Sequence, residues 1–246
     1  MAILIFLYRN LLKLRYRFVL TGENILSIPG PIFFLGNHQA LIDPQMNFIH
    51  IRKHRRVIPV VVDTYTKAPL LKQILGSYDT IAVTDLSSGK RDITVLERVK
   101  SSVIKALTEG KSVMLYPSGQ LSSNGKERIV NKKSAYEIVR NLPDSIRVVG
   151  VRVDGLWGSS WSKAPTEKTP PFFSTLIKGI GWYFANLFFF MPRREVRLEW
   201  TDITNDAKNA ALGDRNRFNK YLEDFFNEKL SDKPAFVRHW VIGCNK

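Results

Sequence analysis

Residues 32–44 read Ile32-Phe33-Phe34-Leu35-Gly36-Asn37-His38-Gln39-Ala40-Leu41-Ile42-Asp43-Pro44, and they contain the most informative pattern of the chain. Its first four residues are apolar and either aromatic or branched, which is typical of a buried strand. Gly36 and Asn37 then mark the end of that strand and the beginning of a loop. The stretch therefore predicts a buried strand that leads directly into His38.

His38 and Asp43 form the first candidate site, because they pair a proton acceptor with a carboxylate that could orient it. Side chains five residues apart would diverge on an ideal helix, so we expect a turn that enters a helix. Strand ends of this kind are where α/β folds place chemistry. A purely structural alternative remains open, in which His38 is a loop histidine and Asp43 caps a helix ahead of Pro44.

Strand and helix patterns alternate along the rest of the chain. The predicted strands cover residues 15–20, 32–35, 57–62, 80–83, 112–116, 147–153 and 196–200. The predicted helices cover 69–75, 92–109, 134–142 and 214–230. This order predicts an α/β fold with a mostly parallel central sheet flanked by helices, preceded by an N-terminal membrane-interfacial helix.

Composition limits the class of protein. The chain has 246 residues, of which 44% are hydrophobic, so it can bury one substantial core. A net charge of +15 indicates an anionic partner, either nucleic acid or anionic lipid. Its single cysteine, Cys244, excludes an internal disulfide framework and favours a reducing, cytoplasm-facing location.

Two segments favour a membrane. Residues 1–14 mix apolar and basic side chains, as an interfacial membrane anchor does, but the apolar stretch is too short to span a bilayer. Residues 172–191 are rich in aromatic and apolar side chains, and only Lys178 interrupts them with a charge. A spanning helix and a buried core helix remain open for this second segment, and we favour a helix lying on the membrane surface.

Further strand ends carry polar residues that could join His38, near Thr84-Asp85, at Tyr116-Pro117-Ser118-Gly119-Gln120 and at Gly150-Val151-Arg152. In this arrangement the chain resembles the glycerolipid acyltransferases, membrane-associated enzymes that acylate glycerol-3-phosphate, lysophosphatidic acid and other lysophospholipids. The resemblance covers roughly residues 15–205, and the Asn-His-x4-Asp block is its most specific part.

The resemblance implies that His38 is a general base, which takes the proton of the acceptor hydroxyl, and that Asp43 orients it. This chemistry needs no serine or cysteine nucleophile, because the substrate hydroxyl attacks the thioester directly. For substrate binding we name Asn37, Ser118, Gly119, Gln120, Lys90 and Arg91. Gly119 would let the backbone approach an oxyanion, and the two basic residues would contact a headgroup.

The resemblance also implies co-substrates and partners. We expect no cofactor and no metal, with acyl-CoA or acyl carrier protein as the acyl donor. We expect anionic membrane lipids as the other partner, no nucleic acid, and a location at the cytoplasmic face of the inner or plasma membrane. The expected organisation is an interfacial anchor (1–14), an acyltransferase domain (15–230) and a C-terminal tail (231–246).

The chain departs from the family pattern in two places. The third block usually reads Phe-Pro-Glu-Gly-Thr-Arg, whereas residues 116–121 have serine for the glutamate and leucine for the arginine. The second block usually has an arginine where Asp85 stands. A simple phosphomonoester acceptor, which favours bidentate guanidinium contacts, is therefore less secure than acyl transfer itself.

Three other functions stay open at this stage. His50 and His54 have the spacing of metal ligands on a helix, although four neighbouring basic residues would repel a cation. The high positive charge also suits a nucleic-acid-binding protein. A catalytically silent lipid-binding protein on the same fold would fit the altered third block.

Overall fold

A computed structural model describes residues 2–62, 80–83 and 93–240 of the chain. The strands are β1 (Tyr16–Thr21), β2 (Ile32–Gly36), β3 (Val57–Val62), β4 (Ile81–Val83), β5 (Ser112–Leu115), β6 (Arg147–Asp154) and β7 (Arg194–Asp202). The helices are α1 (Ala2–Arg15), α2 (Asp43–Ile51), α3 (Ile93–Thr108), α4 (Ser134–Arg140), α5 (Phe172–Ala185), α6 (Thr204–Ala211) and α7 (Arg215–Asn227). A short 3₁₀ helix covers Glu23–Ser27.

The strands form one sheet in the order β1-β7-β6-β2-β5-β3-β4. Strands β6, β2, β5, β3 and β4 run parallel to one another. Strand β7 is antiparallel to β6, and β1 runs parallel to β7. The predicted α/β fold with a mostly parallel sheet is therefore confirmed.

Helices cover both faces of the sheet, so a central strand is buried on both sides. Phe33 and Leu35 of β2 belong to the core cluster that includes residues of α3, α4, α6 and α7. Ile32 and Phe34 belong to the cluster on the opposite face, which includes residues of α1 and α2. This two-sided burial explains why residues 32–35 read as a continuous apolar run.

The parallel arrangement brings the ends of three strands to one edge of the sheet, although β6 continues to Asp154, two residues beyond the end predicted at Arg152. Strands β5 and β6 are the two neighbours of β2, and all three run in the same direction. The chain therefore leaves Gly36, Leu115 and Asp154 at the same edge, where His38 follows β2. The fourth predicted end, near Thr84-Asp85, lies outside the described residues, as does the helix predicted at 69–75.

Two helices differ from the sequence-based expectation. Helix α6 was not predicted, because its buried side consists of alanines, which give a weak hydropathy signal. The helix expected over 172–191 ends at Ala185, since Leu187 and Phe188 have φ values of 47° and 60°, which a right-handed helix does not accept. No helix among the described residues combines the length and hydropathy needed to cross a bilayer.

Candidate functional site

His38 and Asp43 contact each other directly. Nδ1 of His38 donates to Oδ1 of Asp43 at 2.8 Å, and the second oxygen, Oδ2, accepts the backbone N–H of Ala40 at 2.9 Å. The Asp43 side chain is fully buried, whereas 15% of the His38 side chain is exposed. This geometry leaves Nε2 of His38 without a hydrogen-bond partner in the described part of the chain, and thus able to accept a proton.

A tight turn produces this contact. The backbone N–H of Asp43 donates to the carbonyl of Ala40 at 3.1 Å, and α2 begins at Asp43 itself. Pro44 follows in the first turn of the helix, where its missing N–H costs no hydrogen bond. The expectation of a turn that enters a helix is confirmed, and Asp43 is the first helical residue rather than its N-cap.

Opposing effects act on the pKa of His38. Burial lowers it, but the Asp43 carboxylate raises it through its charge and its hydrogen bond, and Glu127 raises it further. The charge of Lys163 lowers it. The net result is a pKa above the ordinary value for histidine, because the carboxylates stabilise the imidazolium.

The loop after β5 surrounds the main chain of His38. The backbone N–H of His38 donates to Oε2 of Glu127 at 2.9 Å, and the carbonyl of His38 accepts the backbone N–H of Ser122 at 2.8 Å. Gln39 extends this contact, because its side-chain Nε2 donates to the carbonyl of Gly125 at 3.1 Å. Both sides of the His38 peptide are therefore fixed by one loop.

Tyr116 covers one side of the His38 ring. The two ring centroids lie 4.8 Å apart, and the Tyr116 hydroxyl accepts a hydrogen bond from Nδ2 of Asn47 at 3.0 Å. A Cβ atom on Gly36 would lie 3.1 Å from the Tyr116 ring and 2.8 Å from the Met114 side chain. Glycine at 36 therefore provides the space that Tyr116 needs beside the strand end.

The loop after β6 covers another side of the pair. The backbone N–H of Leu41 donates to the carbonyl of Trp161 at 3.0 Å, and that of Leu156 donates to Oε1 of Gln39 at 3.2 Å. Lys163 follows Trp161 by two residues, and its charge acts on His38. Its Nζ has no acidic partner within the described residues.

The predicted substrate-binding residues have different surroundings. Asn37 is fully buried, and its amide both donates to the carbonyl of Val153 at 2.9 Å and accepts the N–H of Val153 at 2.7 Å. Both side-chain polar atoms of Asn37 thus hydrogen-bond to Val153, which joins the end of β2 to β6. Its predicted contact with substrate stays a prediction, and its contact with Val153 is one that sequence spacing cannot show.

The block at 118–120 lies in the loop that surrounds His38. Ser118 is buried and donates from Oγ to the carbonyl of Gln120 at 2.9 Å. The N–H of Gly119 donates to the carbonyl of Tyr116 at 3.0 Å in a turn, with a φ of 61°, so it is not free for an oxyanion. Gln120 is exposed, and Lys90 and Arg91 lie outside the described residues.

His50 and His54, which the sequence suggested as possible metal ligands, contact other side chains. His50 is buried with its ring 4.8 Å from that of Phe18, and burial lowers its pKa to about 4. His54 contacts Oε1 of Glu23 through Nε2 at 3.0 Å. Within residues 2–62, 80–83 and 93–240, no group of three or more potential metal ligands occurs.

Sequence reasoning missed Glu127, Lys163 and Asn47, and it placed Tyr116 at a strand end without predicting its contact with the His38 ring. Asn47 lies four residues after Asp43 and thus on the same side of α2, a signal that was present. Tyr116 is the first residue after β5, so its position at the strand end was also a signal. Glu127 and Lys163 have no local pattern that distinguishes them, because only the folded chain brings them near His38.

Comparisons with known proteins agree with this architecture. The crystal structure of the 1-acyl-sn-glycerophosphate (LPA) acyltransferase PlsC from Thermotoga maritima is similar to this chain, with a TM-score of 0.52 and 16% sequence identity. The similarity covers 90% of this chain and 73% of that one, and at this identity it concerns the fold. A comparison with curated protein sequences gave no match.

The sequence also matches the family model described as Acyltransferase, over residues 17–154. These residues include the His38-Asp43 turn, the loop after β5 and the whole of β6. Because the match covers more than half of its 246 residues, the chain belongs to the Acyltransferase family.

Proposed function

We propose that this protein transfers a fatty acyl group from an acyl thioester, either acyl-CoA or acyl carrier protein, to the hydroxyl of a lysophospholipid or a related glycerol-phosphate lipid. His38 takes the hydroxyl proton at Nε2 while the hydroxyl oxygen bonds to the thioester carbonyl carbon. Asp43 fixes the ring and stabilises the imidazolium. The carbon–sulfur bond then breaks, and the imidazolium returns the proton to the departing thiolate.

One observation carries this proposal. Nδ1 of His38 is occupied by a fully buried carboxylate at 2.8 Å, while Nε2 has no partner among the described residues and the ring is partly exposed. A histidine with one nitrogen fixed by a carboxylate and the other free is arranged to act as a base. Direct attack by the substrate hydroxyl also fits the sequence, which contains no Gly-x-Ser-x-Gly block.

Basic side chains in the loops after β5 and β6 support an anionic acceptor. Lys163 lies close enough to affect His38 and has no acidic partner in the described chain. A cavity of about 170 Å³ in the loop after β5 is lined by Lys126 and Arg128 together with Gln120. Leu121 stands where the third block of the family usually has an arginine that contacts the headgroup. In our proposal Lys126, Lys163 and Arg128 make these headgroup contacts instead.

Location at a membrane surface is supported by an apolar face that is open to solvent. We define this face by its exposed side chains: Phe6, Leu7 and Leu11 of α1, Phe173, Ile177, Ile180 and Phe184 of α5, and Leu187, Phe189 and Phe190 after it. The four α5 residues recur at helical spacing, while Leu176 between them packs on the core. Large exposed apolar patches of this kind mark membrane or protein contacts.

The helices that carry the apolar face contact the helix that begins at Asp43. The hydroxyl of Tyr183 on α5 donates to the carbonyl of Leu11 on α1 at 3.1 Å, so the two helices are neighbours. Tyr8 of α1 donates to Oε1 of Gln45 at 2.8 Å, two residues after Asp43. A lipid held at this face would therefore be held by helices that pack on the element carrying Asp43.

Lipid mass spectrometry tests the reaction. Purified protein is given a panel of lysophospholipids and glycerol-3-phosphate with labelled acyl-CoA or labelled acyl carrier protein, and the labelled lipid products are identified. We expect product with at least one donor, at least a hundredfold less product for His38→Ala, and little change for His54→Ala. Full activity of folded His38→Ala would contradict the proposed base.

The same panel tests the acceptor and the silent alternative. Lys163→Gln should reduce kcat/KM for anionic acceptors more than for zwitterionic ones, because only the former gain from its charge. If the folded protein binds the lysolipids but forms no product with either donor, the chain is instead a lipid-binding protein on this fold.

A further inference from the structure

Glu127 is a buried acid that contacts the loop of the proposed base. Its side chain is almost fully buried, with 1% of the residue exposed, and Oε2 accepts the His38 backbone N–H at 2.9 Å. Its own main chain is fixed to the end of α7, because Asn227 accepts its N–H at 2.7 Å and donates to its carbonyl at 2.9 Å. Glu127 thus connects α7 to the residue that carries the reactive imidazole.

Burying the Glu127 carboxylate is unfavourable if its only role is to hold the fold together. The second carboxylate oxygen, Oε1, is buried, and besides the His38 N–H only the Ser118 hydroxyl, which also donates to the carbonyl of Gln120, hydrogen-bonds to this carboxylate among the described residues. An amide could accept the same N–H without bringing a buried charge, so the hydrogen bond alone does not explain an acid here. Residues 118–128 contain no other acid, since Ser118 and Ser122 provide only hydroxyls.

We propose that Glu127 is a positioning residue for the His38-Asp43 pair, fixing the His38 main chain and adding a second negative charge beside the imidazole. The inference rests on the proposed function, in which the imidazole is the base. Once Glu127 ionises near neutral pH, its charge makes the imidazole a stronger base than Asp43 alone would, and the fixed peptide keeps Nε2 directed toward the acceptor.

The groups that face the His38 imidazole are Asp43, Glu127, Lys163 and the Tyr116 ring. The first two raise the pKa of His38, and Lys163 lowers it. Removing the Glu127 charge should therefore lower the pKa of His38 while Asp43 still keeps the ring in place. The neutral isostere Glu127→Gln makes this change and retains an oxygen for the His38 N–H.

NMR titration of the imidazoles, together with the pH profile of kcat/KM, tests the proposal. Burial lowers the pKa of both His50 and His239 to about 4, so their titrations are separate from that of His38. In Glu127→Gln we expect the His38 titration and the acidic limb of the profile to move together to lower pH. Glu127→Ala, which also loses the main-chain contact, should lower kcat/KM by about tenfold to a hundredfold.

Glu223→Gln is the matched control. Oε1 of Glu223 accepts the backbone N–H groups of Ile129 at 2.6 Å and Val130 at 3.1 Å, close to Glu127 in the chain but away from His38. An equal shift in both Gln variants, or an unchanged His38 titration in folded Glu127→Gln, would overturn the positioning role. If the His38 pKa moves but the wild type forms no acylated lipid, the positioning stands and the proposed acyl transfer fails.

Discussion

A methyl group on Gly36 would collide with the side chains of Met114 and Tyr116. The need for glycine at this position shows how closely the site is packed. Tyr116 covers one side of the His38 ring, Asp43 holds Nδ1, and the loop after β5 fixes the peptide. The imidazole therefore has a defined tautomer and orientation before any substrate arrives. Such pre-organisation is what a general base needs.

The carboxylate of Asp43 should determine the pH at which activity appears. Since Asp43 raises the pKa of His38, the wild-type rate should increase with pH through a pKa above the ordinary value for histidine. Asp43→Asn removes the stabilisation of the imidazolium, so the acidic limb should move to lower pH and the maximal rate should fall roughly a hundredfold or more.

The pH profile of kcat/KM measures both effects. Asp214→Asn is a matched control, because Asp214 caps α7 through the N–H of Arg217 at 2.8 Å and asparagine caps equally well. An acidic limb that stays in place in Asp43→Asn would contradict the role given to Asp43.

Glu127 should lower the stability of the fold at neutral and alkaline pH. Burial raises its pKa from 4.5 to about 7, so the folded state resists its ionisation. Below the unfolded pKa the acid is neutral in both states and costs nothing. As pH rises through the folded pKa, stability falls by up to about 3 kcal/mol, which is the full effect of that difference in pKa.

Glu127→Gln should therefore be as stable as the wild type at pH 4 and more stable at about pH 8. Urea unfolding across this pH range measures the difference. A variant that is less stable than the wild type at pH 8 would show that the carboxylate contributes more to the fold than its burial costs.

Helix α5 combines a structural side with an unpartnered one. Thr175 and Leu176 lie against the protein, whereas Ile177 is 69% exposed and Phe184 is 63% exposed. One side of this 14-residue helix packs on the protein, and much of its solvent-exposed side is apolar as well. This arrangement fits a helix that lies along a membrane surface.

Charged substitutions on the apolar face should weaken vesicle binding. Burial of one such side chain is worth about 1.5–3 kcal/mol, so Ile177→Glu or Phe184→Glu should each raise the dissociation constant about tenfold or more. Vesicle flotation measures this, with Leu212→Glu as the control, because Leu212 is 84% exposed at the end of α6 and outside the apolar face. Equal losses in all three variants would count against a specific docking face.

At the scale of the whole molecule, a net charge of +15 should make membrane binding depend on lipid charge and on salt. Vesicles containing anionic lipid should bind more tightly than neutral ones at low salt. Raising the ionic strength from about 0.01 M to about 1 M shortens the Debye length from about 30 Å to about 3 Å, so this preference should largely vanish. Equal flotation with neutral and anionic vesicles at low salt would contradict the electrostatic contribution.

Local sequence pattern predicted most of the described elements, because strands and helices of this fold have apolar faces with clear periods. The run at 32–35 predicted β2, and the spacing of apolar residues at 92–109 predicted α3. Helix α6 escaped because alanines form its buried side. The end of α5 was not predicted, because Leu187 and Phe188 adopt a left-handed backbone without the glycine that usually signals one.

The candidate site was predictable only in part. The spacing of His38 and Asp43 within a turn is a local property, and the structure brings their side chains together as expected. The use of Asn37 by Val153 depends on a partner 116 residues away, and the contact from Glu127 to His38 spans 89 residues. Such contacts leave no periodic trace in the sequence.

Three properties could be predicted from the amino-acid order alone: the α/β fold with its largely parallel sheet, the strand end that leads into His38, and the positive charge of the whole chain. These properties follow from hydrophobic period, turn residues and composition, all of which are local or additive. The packing of distant segments establishes which polar groups surround His38, whether their charges raise or lower its pKa, and which apolar side chains stay open to solvent. Burial and charge interactions depend on distances between segments far apart in sequence, and only the folded chain fixes those distances.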